Sequence, residues 1–512
     1  MRANALLLHQ TLKIILQNIK RLINSGGLKG KIVRSGGALA FGSLTENVLR
    51  LVRNIILVRI LAPETFGLMA IMMISVQAIE AFAEVGLKQS LISNKNGGEP
   101  SFLNITWFLS VARGVALYTV AFLVAPLIAD FYNKPELLAL LRVGFLVILL
   151  NGLISPRVYL LEKELRFKEW TILIQGSAII GIVVTVVAAF IIKNVWALLA
   201  GFMFEAFLRS LLSFIFYPIK PNLHFDITHF REIVKYSRGM FGLPILMMIY
   251  LQSNIFVVGK VTSVTHLGIY VMLQSFATIA NKIIIRIVDP IFLPVLASMQ
   301  DNKANLSKAL DETIKVIAIF AFPFTAMQII FAQPILHLVY GPTYSQFSNS
   351  YCILSIASLF ALFFSLLSQV FFAIGQPHRH RIASFVRTAL FVLLIYPAAK
   401  YFGLTGAAFA LAIATGIALF IQIINIRKVI NLISFEYIRS YTSSLRITLI
   451  IIVPGIICIM LFKDLYILNS IIAGLLCAIA WFVGFLELGF LQAQIPVLKK
   501  LNSAINKIKG NR

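Results

Sequence analysis

Nine Lys or Arg residues fall inside stretches of this chain that are otherwise apolar: Arg50, Arg53, Arg113, Arg142, Arg209, Lys282, Arg286, Lys315 and Arg387. Near the middle of such stretches stand three acids, Glu46, Glu80 and Glu205. An ionisable side chain in hydrocarbon costs at least about 2.5 kcal/mol on insertion scales, so each needs a partner or a polar cavity. Glu46, Arg50 and Arg53 recur at i, i+4 and i+7 and share one helix face. Glu46 with Arg50, and Glu205 with Arg209, are also acid-before-base pairs one turn apart, able to neutralise themselves as structural bridges. Arg53 and Arg113 have no such local acid. A guanidinium presents a planar two-pronged donor and stays charged when desolvated, so these two are the prime candidates to hold a phosphate. Arg50, Arg209 and Arg286 complete the candidate binding set. Glu80 and Glu84 lie one turn apart. Either they pair with Arg50 or Arg53 across a bundle, or burial raises their pKa and suits them to couple a proton or sodium ion.

The elements that must position these groups are apolar stretches of about 20 residues, each long enough to cross a hydrocarbon core of about 30 Å as a helix. Fourteen run from 35 to 492, at roughly 35–60, 65–92, 103–129, 136–160, 170–192, 195–217, 233–259, 266–290, 312–333, 348–374, 383–400, 404–426, 444–462 and 466–492. An all-α polytopic membrane protein is therefore expected. The 59% hydrophobic content, 13% charged content and mean hydropathy of +0.90 exclude a soluble chain. A net charge of +25 would suggest nucleic acid in a soluble protein, but placement removes that partner. Outside the nine buried cations, 30 Lys and Arg fall on the side that holds both termini. Six fall on the other: Arg59, Lys134, Lys193, Lys260, Lys400 and Lys463. Cytoplasmic loops retain Lys and Arg during insertion, so both termini are expected in the cytoplasm, facing anionic lipid. Counted by depth, Arg50, Arg53, Arg113 and Arg209 lie near mid-membrane, whereas Lys282, Arg286, Lys315 and Arg387 form a basic collar towards the cytoplasm.

The expected organisation is a cytoplasmic amphipathic segment at 1–34, a six-helix lobe at 35–218, a linker at 219–232, a second six-helix lobe at 233–426, two additional helices at 427–494 and a basic tail at 495–512. Within the first segment, Asn4 to Ile23 alternates Leu and Ile with Lys13, Lys20 and Arg21, the pattern of a helix lying in the inner leaflet. It lacks the small-residue cleavage site of a signal peptide. The lobes echo each other. Phe41-Gly42-Ser43-Leu44 is answered by Phe241-Gly242-Leu243-Pro244, and Thr65-Phe66-Gly67-Leu68 by His266-Leu267-Gly268-Ile269. Such parallel repeats set a pseudo-axis along the membrane normal and suit alternating access. Pro244, Pro290, Pro294 and Pro323, with Gly239 and Gly242, are expected to kink or hinge the second lobe.

Enzymatic motifs are missing. There is no phosphate-binding loop, GxSxG or HExxH. Cys352, Cys458 and Cys477 form no CxxC pair and read as packing residues, and His378 and His380 read as a solvated turn. No cofactor or metal is expected. The run from Lys29-Gly30-Lys31 to Gly42, the continuation Asn54 to Leu68, and Phe82-Ala83-Glu84-Val85-Gly86-Leu87 resemble the opening of Wzx-type polysaccharide flippases. These belong to the multidrug/oligosaccharidyl-lipid/polysaccharide exporter superfamily, beside lipid II flippases and multidrug and toxin extruders. The resemblance implies two six-helix bundles around a central cavity, into which Arg53 and Arg113 should face. It also implies translocation of an undecaprenyl-pyrophosphate-linked oligosaccharide to the outer leaflet of the bacterial inner membrane. Its partners would then include a polysaccharide polymerase and ligase. A lipid II flippase and a cation-coupled multidrug antiporter are the alternatives. An antiporter for cations favours an acidic cavity, and the deep charge here is more basic than acidic.

Overall fold

The computed structural model describes residues 28–82, 87–94, 96–164, 166–220, 243–297, 299–300, 302–430, 442–462 and 465–492. Among them every regular element is a helix. The expectations for 4–23, for the tail beyond 495, for Glu84 and for the linker with Gly239 and Gly242 lie outside the described residues. Nine helices are long and apolar enough to cross a membrane, or up to 11 if each of two bent pairs is one span, among the described residues. The chain is a multi-pass membrane protein. It divides into two compact units, one of 12–272 and one of 273–512 with the first residues of the chain.

In the unit 12–272 the helices are α1 (Leu28–Ile60), α2 (Pro63–Phe82), α3 (Leu87–Ser93), α4 (Pro100–Tyr132), α5 (Glu136–Gly144), α6 (Leu146–Gly152), α7 (Arg157–Lys163), α8 (Phe167–Ile192), α9 (Val195–Phe216), α10 (Leu243–Val261) and the first turns of α11 (Val264–Ala277). Turn chemistry sets their ends. Lys193 takes a left-handed conformation (φ 53°) after α8, and the Asn194 side chain accepts from the Trp196 N–H at 3.0 Å to cap α9. The resulting hairpin packs tightly because Gly181 and Gly201 meet: a β-carbon on Gly201 would stand 2.7 Å from the Gly181 carbonyl oxygen. Helix α1 lies against α8, and α10 against α2.

The stretch expected as one span at 136–160 is three short helices, with a bend of 65° between α5–α6 and α7. Pro156 removes a donor there, and the break is tied to α9 and its C-terminal cap: Ser155 N–H donates to Ser213 Oγ at 2.9 Å, and Ser155 Oγ donates to the Tyr217 carbonyl at 2.6 Å.

The unit 273–512 continues through α12 (Ile279–Ala297), α13 (Lys303–Ile330), α14 (Ala332–Tyr340), α15 (Pro342–Ser345), α16 (Ser348–Ala373), α17 (Pro377–Ile430), α18 (Thr442–Leu461) and α19 (Tyr466–Gln492). The expected span at 266–290 bends by 41° between α11 and α12, where the Thr278 hydroxyl bonds back to the Gln274 carbonyl at 2.9 Å. Helix α17 is two antiparallel spans joined at Gly403 (φ 57°, ψ −137°), which falls between the spans expected at 383–400 and 404–426. The fold-back brings Gln422 beside His380, which also packs on Phe364 and Phe372. His380 is therefore part of the packing, not of a solvated turn. Pro323 is inside the continuous α13, and Pro244 stands in the first described turn of α10. Helices α18 and α19 bury Ile447, Ile451, Ala473 and Ala480 against Ile319 and Phe331. Cys458 and Cys477 are buried here and all three cysteines are free.

Candidate functional site

The candidate site is built on α1, α2, α6, α8, α9 and α11 within 12–272. Polar side chains on mostly apolar helices find each other there. On α1, Arg50 Nε donates to Glu46 Oε1 at 2.9 Å, and its terminal nitrogen reaches Glu205 Oε2 on α9 at 3.4 Å. Glu205 also accepts from Arg209 at 2.6 Å. Both one-turn pairs expected from spacing form, and Glu205 joins them into one network: Glu46, Arg50, Glu205, Arg209. Glu205 is the most enclosed member, its side chain only 13% exposed.

Two adjoining cavities open beside this network. The first, about 130 Å³, is lined by Arg50, Arg53, Asn54, Phe66, Met69, Ala70, Thr185, Glu205, Val271 and Met272, among others. The second, about 190 Å³, is lined by Met73, Gln77, Glu80, Asn151, Phe202, Glu205 and Arg209 among others. Glu205, Met73 and Phe202 belong to both walls. Charge differs between them. The first has two guanidiniums against one carboxylate, whereas the second has one guanidinium against Glu80 and Glu205.

Arg53 donates from Nε and NH2 to Asn54 Oδ1 at 3.2 and 3.0 Å, a neutral acceptor that leaves its charge directed at the cavity. Glu80 accepts from Asn151 at 3.1 Å, and the carboxylate that reaches Arg50 across the bundle is Glu205. The sequence-derived candidates Arg50, Arg53, Arg209, Glu80 and Glu205 thus converge, with Glu46 attached through Arg50. Arg113 lines neither cavity; with Arg209, Glu80 and Glu162 it bears electrostatically on Tyr159. Arg286 belongs to the other unit, exposed on α12. Asn54, Gln77, Asn151 and Thr185 were not singled out from sequence. Their only signal is an uncharged polar group in an apolar stretch, a signal many packing residues share.

The geometry can hold a compact anionic group against Arg53 while keeping Arg50 and Arg209 compensated. Residues 56–349, more than half of the chain, match the family model described as polysaccharide biosynthesis protein. The chain belongs to this family. Among its relatives, an uncharacterized membrane protein in the cps region of Klebsiella pneumoniae is 25% identical over 449 residues, covering 86% of this chain and 90% of that one. The lipopolysaccharide biosynthesis protein WzxC of Escherichia coli (strain K12) is 23% identical, covering 57% of this chain and 60% of that one. The resemblance to Wzx-type proteins read from the opening motifs therefore holds. The fold of the chain is similar to that of the lipid II flippase MurJ in its inward closed conformation, with a TM-score of 0.69 at 15% identity, covering 88% of this chain and 99% of that one.

Proposed function

We propose that the chain is a flippase that carries an undecaprenyl-pyrophosphate-linked oligosaccharide repeat unit from the cytoplasmic to the outer leaflet of a bacterial inner membrane. The cargo would serve O-antigen, capsule or exopolysaccharide synthesis, and the carrier would work by alternating access. One observation carries this reading: Arg53, whose hydrogen-bond acceptor is the neutral Asn54 Oδ1, lines a cavity between largely apolar helices beside the Glu46–Arg50–Glu205–Arg209 network, where its guanidinium favours an anionic visitor. Family membership supports a role in polysaccharide synthesis, and the skewed distribution of Lys and Arg supports cytoplasmic termini.

In this reading Arg53, with Arg50 and Arg209, holds the pyrophosphate, and Arg113 lies along the same path. Arg286 and the other basic collar residues meet the headgroup at the cytoplasmic leaflet. The lipid tail stays in the bilayer, so the protein handles only the polar part. Glu80, in the more acidic cavity, takes the coupling role, a second function that the charge difference between the cavities favours. Polymerase and ligase would act on the delivered unit.

Deletion and complementation in a polysaccharide-producing host test the reading. The deletion should leave lipid-linked repeat units on the cytoplasmic leaflet, and the intact gene should clear them. Clearance by an Arg53→Ala form at the wild-type rate would remove the proposed role of the cavity. A host that needs lipid II transport, rescued instead, would move the substrate to the lipid II alternative. Glu80→Gln should make transport insensitive to an imposed proton or sodium gradient; an unchanged gradient dependence rejects its coupling role.

A further inference from the structure

Gly67 and Gly268 hold equivalent places in the two echoed motifs, and they pack against each other. A β-carbon on Gly67 would stand 1.9 Å from the Val264 carbonyl oxygen; one on Gly268 would stand 1.8 Å from the Pro63 carbonyl oxygen. Each glycine faces the carbonyl four residues before the other, so α2 and α11 cross backbone to backbone, with no room for any side chain.

The crossing has a position relative to the cavity. One turn beyond it, Met69 and Ala70 on α2 and Val271 and Met272 on α11 form part of the wall that encloses Arg50 and Arg53. It stands at the end of the helices that carries Arg59, Lys134 and Lys260. Further contacts fasten that end. Lys134 Nζ bonds Glu64 at 2.5 Å, Lys260 donates to the Phe131 carbonyl and lies 4.8 Å over the Phe131 ring, and Gly259 leaves room for the Tyr132 ring 3.0 Å from where a β-carbon would be.

The ion pair and the Lys260 hydrogen bond lie at helix ends, the crossing itself is backbone against backbone, and Phe66, Leu68, Val264 and Leu267 are buried beside it. From them we infer that the Gly67–Gly268 crossing is the closure over the Arg50–Arg53 cavity, and that α2 and α11 part there when the cavity exchanges its occupant with the Arg59–Lys134–Lys260 face. The inference rests on the carrier reading. It adds which residues close the cavity and why they are glycines: closure demands backbone contact, and a methyl group at either position holds the seam ajar.

The test uses the full chain with Cys352, Cys458 and Cys477 replaced and Met73→Cys as a reporter in the cavity. Labelling by a membrane-impermeant maleimide added from the Arg59–Lys134–Lys260 face should rise several-fold in Gly67→Ala and Gly268→Ala. It should not rise in Gly176→Ala, where a β-carbon meets nothing within 4 Å. Unchanged labelling in both seam variants overturns the inference. If those variants fail to insert, Phe131→Cys with Lys260→Cys gives the second measurement. Bridging the pair with a short bis-methanethiosulfonate in proteoliposomes should abolish flipping of a tagged polyprenyl-pyrophosphate disaccharide, and reductant should restore it. Flipping at the unbridged rate while bridged also overturns it. Labelling needs no substrate, so a wild-type chain that flips nothing but shows the seam response rejects the carrier reading alone.

Discussion

Among the described residues, the unit 12–272 gathers an ionic network beside its cavities, whereas several interhelical bonds of the unit 273–512 join neutral groups. In the first, Glu205 sits between Arg50 and Arg209, and Arg50 also holds Glu46. In the second, Gln328 donates to the Tyr351 hydroxyl at 2.9 Å, Ser350 meets Thr405 at 2.9 Å, and Asn281 bonds Ser358. It also holds an ion pair, Lys315–Asp311 at 2.5 Å, in the first half of α13. Neutral pairs suffice to lock helices together at about 1 kcal/mol each. An ionic network is a costlier way to reach the same packing, because each charge must first be stripped of water. In the proposed reading, its place beside a cavity reflects the charged ligand that the cavity receives.

The comparison breaks most sharply at Arg53. Arg53→Ala removes a charge-assisted contact to the cargo and should lower flipping by about 10- to 100-fold, the equivalent of roughly 1.5–3 kcal/mol. Arg53→Lys should recover part of it, since a point charge replaces a fork. Transport of a tagged polyprenyl-pyrophosphate disaccharide into the outer leaflet of proteoliposomes gives the measurement; equal rates for wild type and Arg53→Ala would make the two units functionally alike.

Glu205→Gln should come next. It leaves Arg50 and Arg209 short of their shared acid and should cost about 2–3 kcal/mol of stability, the network being partly exposed. Tyr351→Phe in the other unit, which removes one neutral hydroxyl from Gln328, should cost only about 1–2 kcal/mol. Midpoints of thermal unfolding in detergent rank the two. The reverse order would mean that the ionic network is not the stronger constraint. A double substitution, Glu205→Gln with Arg209→Gln, should recover part of the loss, because the second change removes a charge left unpaired by the first.

What sequence makes legible here follows from range. Most span positions, the turns at Asn194 and Gly403 and the pairs Glu46–Arg50 and Glu205–Arg209 depend on residues one turn or one hairpin apart, and each could be read from spacing. That Glu205 also reaches Arg50 could not, because it depends on how α1 and α9 pack across 155 residues of chain. Nor could the breaking of 136–160, since Gly144, Gly152 and Pro156 are each tolerated in a straight span when neighbours compensate; the compensation comes from Ser213 and Tyr217, remote in sequence. His380 was misread for the same reason. Its partner Gln422 is 42 residues away on the returning half of α17. The echo of Gly67 and Gly268 was visible as a repeat, but only the fold shows that the two glycines touch.

The smallest effect sharpens the comparison at the fastened end of the first unit. Hydrogen bonding to Glu64 raises the Lys134 pKa above the ordinary lysine value. A raised folded-state pKa means that the ammonium form binds the folded protein more favourably than the unfolded chain. The stabilisation is therefore complete at neutral pH, below the unfolded-state value, and is lost as pH climbs through the raised one. Both partners are more than a third exposed, so salt screening keeps the effect small. Lys134→Met should lower the thermal midpoint slightly at neutral pH, and the gap from wild type should close in strongly alkaline buffer. In 1 M salt it should narrow at neutral pH as well. A gap that persists unchanged at both extremes would assign the contribution of Lys134 to the packing of its methylene stem, and the seam at that end would then be held by its apolar and glycine contacts alone.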